Sequence, residues 1–501
     1  METILMFSAD KRTPADLFIT GLFQNGRFVK ELKLLDPVFA KDAESVVQKG
    51  RLIGKFEETL SFYHSGYQEA PEVLLLGLGD RKSYSAARFR QIIGVAVKAV
   101  KGRKINRVRI LLDSFLDGKL RLQEAVPLLT ETACLASYEF DKYKKKDKDE
   151  EKAGKKKTLE ILVTKKQGRE TLYKGIERAR IIANATVFAR NLINEPGNVI
   201  NPQTLAAAAR QLALSKKIHC KIFGLADLKK LKMNGILAVN QGSVTPPALI
   251  VLEYGNRFKG KGTICLVGKG VTFDTGGISI KPSKDMEVMK SDMSGAAAVI
   301  SVLGVIADLR LPLHVVGLAP AVENMAAQNP QRPGDIIRML NGKTVEVRNT
   351  DAEGRLILAD ALAYTERYRP KAIIDIATLT GSCAATFGDK AIGMLGTSER
   401  LMARVKRAGE ETGERCWQLP LWEDYAKSIK GDHSDLSNIG GPYAGTITAA
   451  IFLKEFVPDN IPWVHLDIAG TAWCDKSRFD CVKGATGVGV RLLTRFLSDW
   501  K

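Results

Sequence analysis

The octapeptide Asn349-Thr350-Asp351-Ala352-Glu353-Gly354-Arg355-Leu356 sets two carboxylates and a guanidinium at alternate positions. Carboxylates sharing one site repel each other unless a cation sits between them. All-oxygen ligands of this kind suit a hard divalent cation. Side chains alternate along extended backbone, so Asp351, Glu353 and Arg355 are expected on one face. Gly354 permits a tight turn or a close approach to the backbone. The same carboxylates could instead cap the helix that follows, accepting from its first N–H groups.

A second set of charged residues follows the strand-like Thr263–Val267. Lys269, Asp274, Lys281 and Asp292 surround a glycine-rich turn, Gly268–Gly277, read here as a loop. A GxG with a lysine suggests a phosphate cradle. However, neither GxxxxGK[ST] nor GxGxxG is present, and Asp274 and Asp292 would repel phosphate. Four carboxylates with two lysines and an arginine fit a two-metal hydrolytic site. Two divalent ions about 3.5–4 Å apart can bridge a water, lower its pKa towards ~7 and polarise a carbonyl. The five histidines, His64, His219, His314, His433 and His465, form no HExxH, so a metal site must lean on carboxylates. His465, inside the strand-like Trp463–Ile468, reads as a satisfied core histidine.

The elements that position these groups can be read from periodicity. Thr344-Val345-Glu346-Val347 alternates polar with apolar, and Leu356, Ala359, Leu362 and Ala363 recur at helical spacing, so the octapeptide is a strand-to-helix loop. Residues 196–501 alternate strand and helix patterns. Strands are predicted at 220–223, 248–253, 263–267, 313–318, 372–376 and 463–468, and helices at 203–214, 294–309 and 356–367. A mixed sheet with helices on both faces follows. Ligand sites in such folds lie in loops at the carboxyl ends of strands. Residues 1–167 show apolar runs at 16–23, 72–79, 107–112 and 158–163 with a helical stretch at 86–100, a smaller α/β domain. Residues 168–195 form a long connecting helix, closed by the breaker Asn194-Glu195-Pro196-Gly197-Asn198.

A chain of 501 residues is expected to hold two domains or more. No run of 18 apolar residues occurs, so no membrane span is expected. Met1–Met6 lacks the basic-then-apolar order of a signal peptide. The seven cysteines are scattered without a CxxC, as expected of reduced thiols in the cytoplasm. The net charge of +19 divides into +8 over residues 1–165 and +11 over the rest, a spread surplus rather than one basic arm. It leaves weak binding to nucleic acid or an acidic surface open beside a merely solvated surface. Residues 142–157 read as a solvated mixed-charge loop.

Longer stretches carry a family resemblance. NTDAEGRL at 349–356, VGKGVTFDTGGISIKPS at 267–283 and MKSDMSGAAA at 289–298 resemble the leucyl (cytosol) aminopeptidases, a dinuclear-metal family. RNLINEPGNVINP at 190–202, VENM at 322–325, RPGDI at 332–336 and DIATLTG at 375–381 support it. The chain departs from the family at Ala326–Pro330, after VENM, where many members carry a Pro/Ser-Gly turn. The resemblance implies one metal on Asp274, Asp351 and Glu353, and a second on Lys269, Asp274, Asp292 and Glu353. It implies two divalent ions, manganese or zinc. It also implies Lys281 as the oxyanion-stabilising lysine and Arg355 as holder of a bicarbonate general base. Met289, Thr378, Leu379, Gly381 and Ala469 would contact the substrate. The implied reaction releases N-terminal leucine and other apolar residues from peptides. Members are typically cytoplasmic homohexamers, and some bacterial members bind DNA, which makes a DNA-binding second role the alternative. A phosphoesterase with two metals is a further rival.

Overall fold

The computed structural model describes the whole chain except residues 11–12, 27–36, 64–69, 146–156, 165–167 and 501. Most of the mixed-charge loop at 142–157 therefore lies outside the described residues. The chain divides into two compact units, Met1–Asn184 with Lys476–Val482, and Ala185–Asp475 with Lys483–Lys501. The division falls within the helix Arg169–Asn194.

In the first unit, six strands build one sheet: β1 (Glu2–Phe7), β2 (Leu17–Phe23), β3 (Thr59–Tyr63), β4 (Glu72–Gly79), β5 (Arg107–Leu111) and β6 (Thr158–Val163). Their order is β1-β6-β5-β2-β4-β3, and only the β3–β4 pairing is antiparallel. β2 and β4 are buried along their whole length, as near-continuous apolar strands covered on both faces must be. Leu17, Ile19, Leu74 and Leu76 face one core with Phe89 and Leu129, while Phe18, Leu22, Val73 and Leu75 face another. Periodicity did not single out β1 or β3. β3 is an edge strand that buries no residue fully.

In the second unit the strands are β7 (His219–Phe223), β8 (Ala248–Tyr254), β9 (Thr263–Gly268), β10 (Gly270–Asp274), β11 (His314–Asn324), β12 (Ile336–Arg338), β13 (Thr344–Glu346), β14 (Pro370–Ala377), β15 (Ile392–Gly396), β16 (Cys416–Gln418), β17 (Leu436–Ser437) and β18 (Trp463–Asp467). The main sheet runs β16-β15-β18-β14-β9-β11-β8-β7, with β10 beside β11, and β12-β13-β17 form a small separate sheet. β18, β14, β9 and β11 are mutually parallel and β10 is parallel to β11, whereas β8 and β15 run antiparallel to their inner neighbours. The sheet is mixed, as the sequence suggested. One correction concerns Gly270–Asp274, read as loop from the glycines in and around it. It is a strand, because pairing with the long β11 satisfies its backbone.

The helix Ser294–Asp308 is buried along nearly its whole length. With the preceding short turn it makes an apolar segment, Met286–Asp308, whose most apolar 18-residue stretch is 89% buried inside the protein, so it is read as a core helix. All seven cysteines are free.

Candidate metal centre and its surroundings

Five parallel strands bring their carboxyl ends to one place. Lys269 follows β9, Asp274 closes β10, Asn324 closes β11, Thr378 follows β14 and Asp467 closes β18. Asp292 stands just before the helix Ser294–Asp308, and Glu353 just before the helix Gly354–Tyr364. The site thus occupies the strand-end loops where α/β sheets bind ligands.

The octapeptide reaches this place by a different route from the extended face expected of it. Glu353 already has helical backbone, φ −75° and ψ −36°, and makes no side-chain capping bond. Ala352 N–H bonds back to Asn349 O, and Leu356 N–H to Glu353 O. A turn followed at once by a helix aims the two carboxylates together, and the capping alternative does not hold for Glu353.

Asp274, Asp351 and Glu353 each offer an oxygen, and these lie within 4.8 Å of one another. Lys269 Nζ is 2.8 Å from Asp292 Oδ2 and 2.9 Å from Glu353 Oε1, and it donates to Thr378 O at 2.8 Å. Lys281 Nζ is 2.8 Å from Asp274 Oδ2 and 2.5 Å from Asp351 Oδ1. A Cβ at Gly354 would sit 2.5 Å from Lys269 Cε, so any larger residue there would displace the lysine. Asp274 Oδ1 is fixed by Gly276 N–H at 2.9 Å and by Asn324 Nδ2 at 2.8 Å. Asn324 Nδ2 also donates to Thr350 O, and the Thr350 hydroxyl donates to Gly276 O. These bonds tie the β10 loop to the octapeptide.

Charge is unbalanced here. Four carboxylates, three of them buried, face two ammonium groups. Burial, then repulsion from Asp274, raises the Glu353 pKa to about 8. Burial likewise raises Asp292 to about 6, and Asp351 rises for the same reasons as Glu353. Burial works against the charge on both lysines, but the carboxylates around them prevail and both pKa values rise. Glu353 Oε2 is buried with no hydrogen-bond partner. A buried lone acceptor inside a surplus of negative charge is a fit for cations, which would supply both the charge and the missing partner.

Arg355 is buried beside this set. Its Nη1 donates to Asn438 O at 2.7 Å, while its Nε has no partner. Burial lowers its pKa to about 10, against the pull of Glu353 and Asp467. Of the candidate substrate residues, Thr378, Leu379 and Ala469 lie on loops that follow β14 and β18. The Thr378 hydroxyl donates to Asp292 Oδ1 at 2.7 Å. Leu379 N–H and Ala469 N–H both donate to Asp467 Oδ1, at 3.2 and 3.1 Å. Gly381 opens the helix Gly381–Phe387, capped by Thr380. Met289 lies in the short Met286–Met293 helix that also carries Asp292.

Three organising residues escaped sequence reasoning: Asn324, Asn438 and Asp467. Asn324 lies in the VENM segment and Asp467 ends a recognisable strand, so both had a signal. Asn438 had none. Its Nδ2 donates to Asn349 O and its Oδ1 accepts from Arg348 N–H, contacts that span about ninety positions of chain. His465 is a buried core histidine satisfied at one nitrogen only: Nδ1 is bonded to Asp375 Oδ1 at 2.6 Å, while Nε2 has no hydrogen-bond partner.

Comparison with known proteins agrees with this geometry. The catalytic-domain profile of the cytosol aminopeptidase family matches residues 187–494, and the family's N-terminal-domain profile matches residues 19–147. A probable cytosol aminopeptidase of Roseiflexus castenholzii is 44% identical over 97% of this chain and 97% of its own length. One from Syntrophotalea carbinolica is also 44% identical, again over 97% of each chain. Among solved structures, the bottromycin maturation enzyme BotP superposes with a TM-score of 0.84 at 31% identity, covering 97% of this chain and 99% of its own. With profiles matching both units, relatives matching nearly end to end, and a buried acidic cluster where the sheet should hold its ligands, the chain belongs to the cytosol aminopeptidase family and is a metal-dependent aminopeptidase.

Proposed function

We propose that the chain releases N-terminal residues, leucine and other apolar ones foremost, from peptides with a free α-amine, and that it does so with two divalent ions. Asp274, Asp351 and Glu353 would hold one ion, and Lys269, Asp274, Asp292 and Glu353 the other. The observation that carries this reading is the unpartnered, buried Glu353 Oε2 among carboxylates that two lysines leave undercompensated. Such ions, when bound, polarise a carbonyl and acidify water towards a pKa of ~7. Manganese is favoured over zinc by analogy, since BotP has been solved in complex with manganese.

The chain's own residues divide the remaining work. Lys269 would give up its proton to serve as a ligand, a change that nearby dications favour strongly. Lys281 keeps its proton. It is less buried than Lys269, and its charge meets the oxygen that becomes negative as the peptide bond is attacked. Arg355 would hold a bicarbonate, which would supply a general base. Its buried guanidinium with an unpartnered Nε supports an anion there. Thr378 is committed to Asp292, while Met289, Leu379, Gly381 and Ala469 present mostly apolar surface to the first side chain, which favours leucine. We further propose a homohexamer in the cytoplasm, in keeping with seven free thiols.

The purified, manganese-loaded protein is expected to hydrolyse a leucine anilide, to lose that activity to a chelator and to leave nitrophenyl phosphate intact. Hydrolysis of the phosphate ester but not the anilide would overturn the reading. The +19 charge favours one secondary role, electrostatic DNA binding. For six to ten phosphate contacts, its affinity should fall by roughly 10³–10⁵ between 50 and 200 mM salt. A gel-shift series with no binding at low salt would remove that role.

A further inference from the structure

A cavity of about 750 Å³ lies away from the carboxylate cluster, between the helix Asn234–Val239, the 240–247 turn and the 329–338 segment. Its walls combine apolar side chains, among them Leu237, Pro247 and Ile337, with polar groups. Gln331 lines it and is only 2% exposed, yet neither the oxygen nor the nitrogen of its amide has a hydrogen-bond partner. A buried amide missing both a donor and an acceptor contact is costly. It persists where something else supplies those contacts, and the complement of an amide is another amide. Lys229 and Arg338 also line the cavity and are exposed. Lys229 makes no ion pair among the described residues, whereas Arg338 uses one nitrogen on Gly342 O and its charge acts on the Asp435 carboxylate. Arg332 is engaged with Asp335. The cavity therefore offers an amide edge, apolar walls and, at Lys229, a positive charge without an ion-pair partner among the described residues. That set matches the last peptide bond and free carboxylate of a short peptide.

The cavity adjoins the end of β11. Ser243, on its wall, donates to the Glu323 carboxylate, and Asn240 Oδ1 accepts from Glu323 N–H at 3.0 Å. The next residue, Asn324, sends its side chain to Asp274. Successive strand residues point to opposite faces, so one strand end touches the cavity wall with Glu323 and the acidic cluster with Asn324.

We propose that this cavity is a second ligand site, taking the carboxy-terminal amide and carboxylate of a short peptide, and that its occupant acts on the acidic cluster through Glu323 and Asn324. The ligand class is argued from the cavity's own chemistry, and binding is read without turnover, so its failure and that of the catalytic reading are separate results.

The probe is N-acetyl-diglycine, which has a free carboxylate but no free amine and so is no aminopeptidase substrate. Calorimetry on the manganese-loaded protein should give one saturable site per chain. Gln331→Leu should weaken binding about tenfold through two lost hydrogen bonds, without lowering thermal stability, because it removes an unpaired buried amide. Lys229→Ala should weaken binding and flatten its salt dependence. The probe's C-terminal amide should bind more weakly than the acid. Saturating probe should change kcat/KM for a leucine anilide at least twofold in the wild type and not in Gln331→Leu. Absence of binding, or equal affinity in Gln331→Leu, would overturn the site. Equal binding of the amide would overturn the carboxylate assignment, and an unchanged kcat/KM would overturn the coupling.

Discussion

The protein buries charge in two contrasting ways. In the first unit, Arg109 on β5 stands directly opposite Glu160 on β6. Arg109 Nε and Nη2 reach Glu160 Oε2 at 2.9 and 2.7 Å, and Nη2 also donates to Thr13 O. Donors meet acceptors and charge meets charge, so nothing further is called for. In the second unit, four carboxylates share two lysines, and Glu353 Oε2 meets nothing. A closed pair is architecture, whereas an open cluster holds a place for a ligand. Burial alone does not separate the two, since Glu160 and Glu353 are both buried. The balance of charge and hydrogen bonds does.

The sharpest way to break that contrast is to neutralise one carboxylate of each kind. Glu160→Gln leaves Arg109 buried without its counter-charge and should cost about 3–5 kcal/mol. Glu353→Gln in chelator-treated protein removes a repelled charge and should cost little or raise stability, while abolishing activity and lowering metal content below two per chain. Denaturant unfolding in chelator, with metal analysis of the reloaded proteins, reads both. Equal destabilisation by the two changes would mean that Glu353 is structural.

Within the cluster, the two lysines sharpen the comparison. Lys281→Ala should keep both metals and lose ~10²–10³ in kcat, as removal of one oxyanion donor does. Lys269→Ala should empty one metal site and be partly rescued by excess manganese or zinc. Arg355→Ala should be a milder Lys281→Ala, with both metals retained. Metal stoichiometry and steady-state kinetics on the three variants decide it. If Lys281→Ala loses a metal while Lys269→Ala keeps two, the roles are exchanged. Thr378→Val, which removes only the hydroxyl donor to Asp292, should weaken metal affinity by ~10-fold, the lower end for a group that orients a ligand.

What sequence could reveal follows from the range of the interactions involved. The strands β4 and β6 were legible to the residue because apolar residues dominate both, with Glu160 the one charged residue inside β6, and the helix after NTDAEGRL because its period is local. Asp351 and Glu353 were legible as a pair of carboxylates, since their spacing lies within one short peptide. Their convergence was not. It depends on a turn that places Glu353 in helical backbone, where alternation in an extended chain had seemed sufficient. Asn438 was invisible because its partners, Asn349 and Arg348, are about ninety positions away. The strand β10 was hidden by the glycines in and around it, and its pairing is settled by β11, some fifty positions further on. The lone acceptor on Glu353 is a property of packing that no spacing encodes.

A third buried carboxylate tests the comparison most finely. Asp360 lies wholly inside the protein, within the helix Gly354–Tyr364 that Glu353 begins. Its Oδ2 accepts from Gly235 and Ile236 N–H at 2.7 and 3.1 Å, and its Oδ1 from Leu340 N–H at 3.0 Å. It is satisfied by backbone rather than by an opposite charge. Burial raises its pKa from 3.8 to about 7, against the three N–H groups that favour ionisation. A folded-state pKa above the unfolded one gives stability that is fully present below about pH 4 and is lost as pH rises through about 7. Asp360→Asn cannot titrate, and it turns an amide nitrogen or a weaker oxygen towards one of the three donors. It should cost about 1–3 kcal/mol near pH 4, and the gap from wild type should narrow as pH approaches 8. Metal content and kcat should be unchanged, because every polar contact of Asp360 is already made within the protein. Urea unfolding of both proteins from pH 4 to 8 provides the check. A gap that widens with pH would mean that the backbone donors outweigh burial and hold Asp360 ionised, placing it with Glu160 among the closed arrangements at every pH.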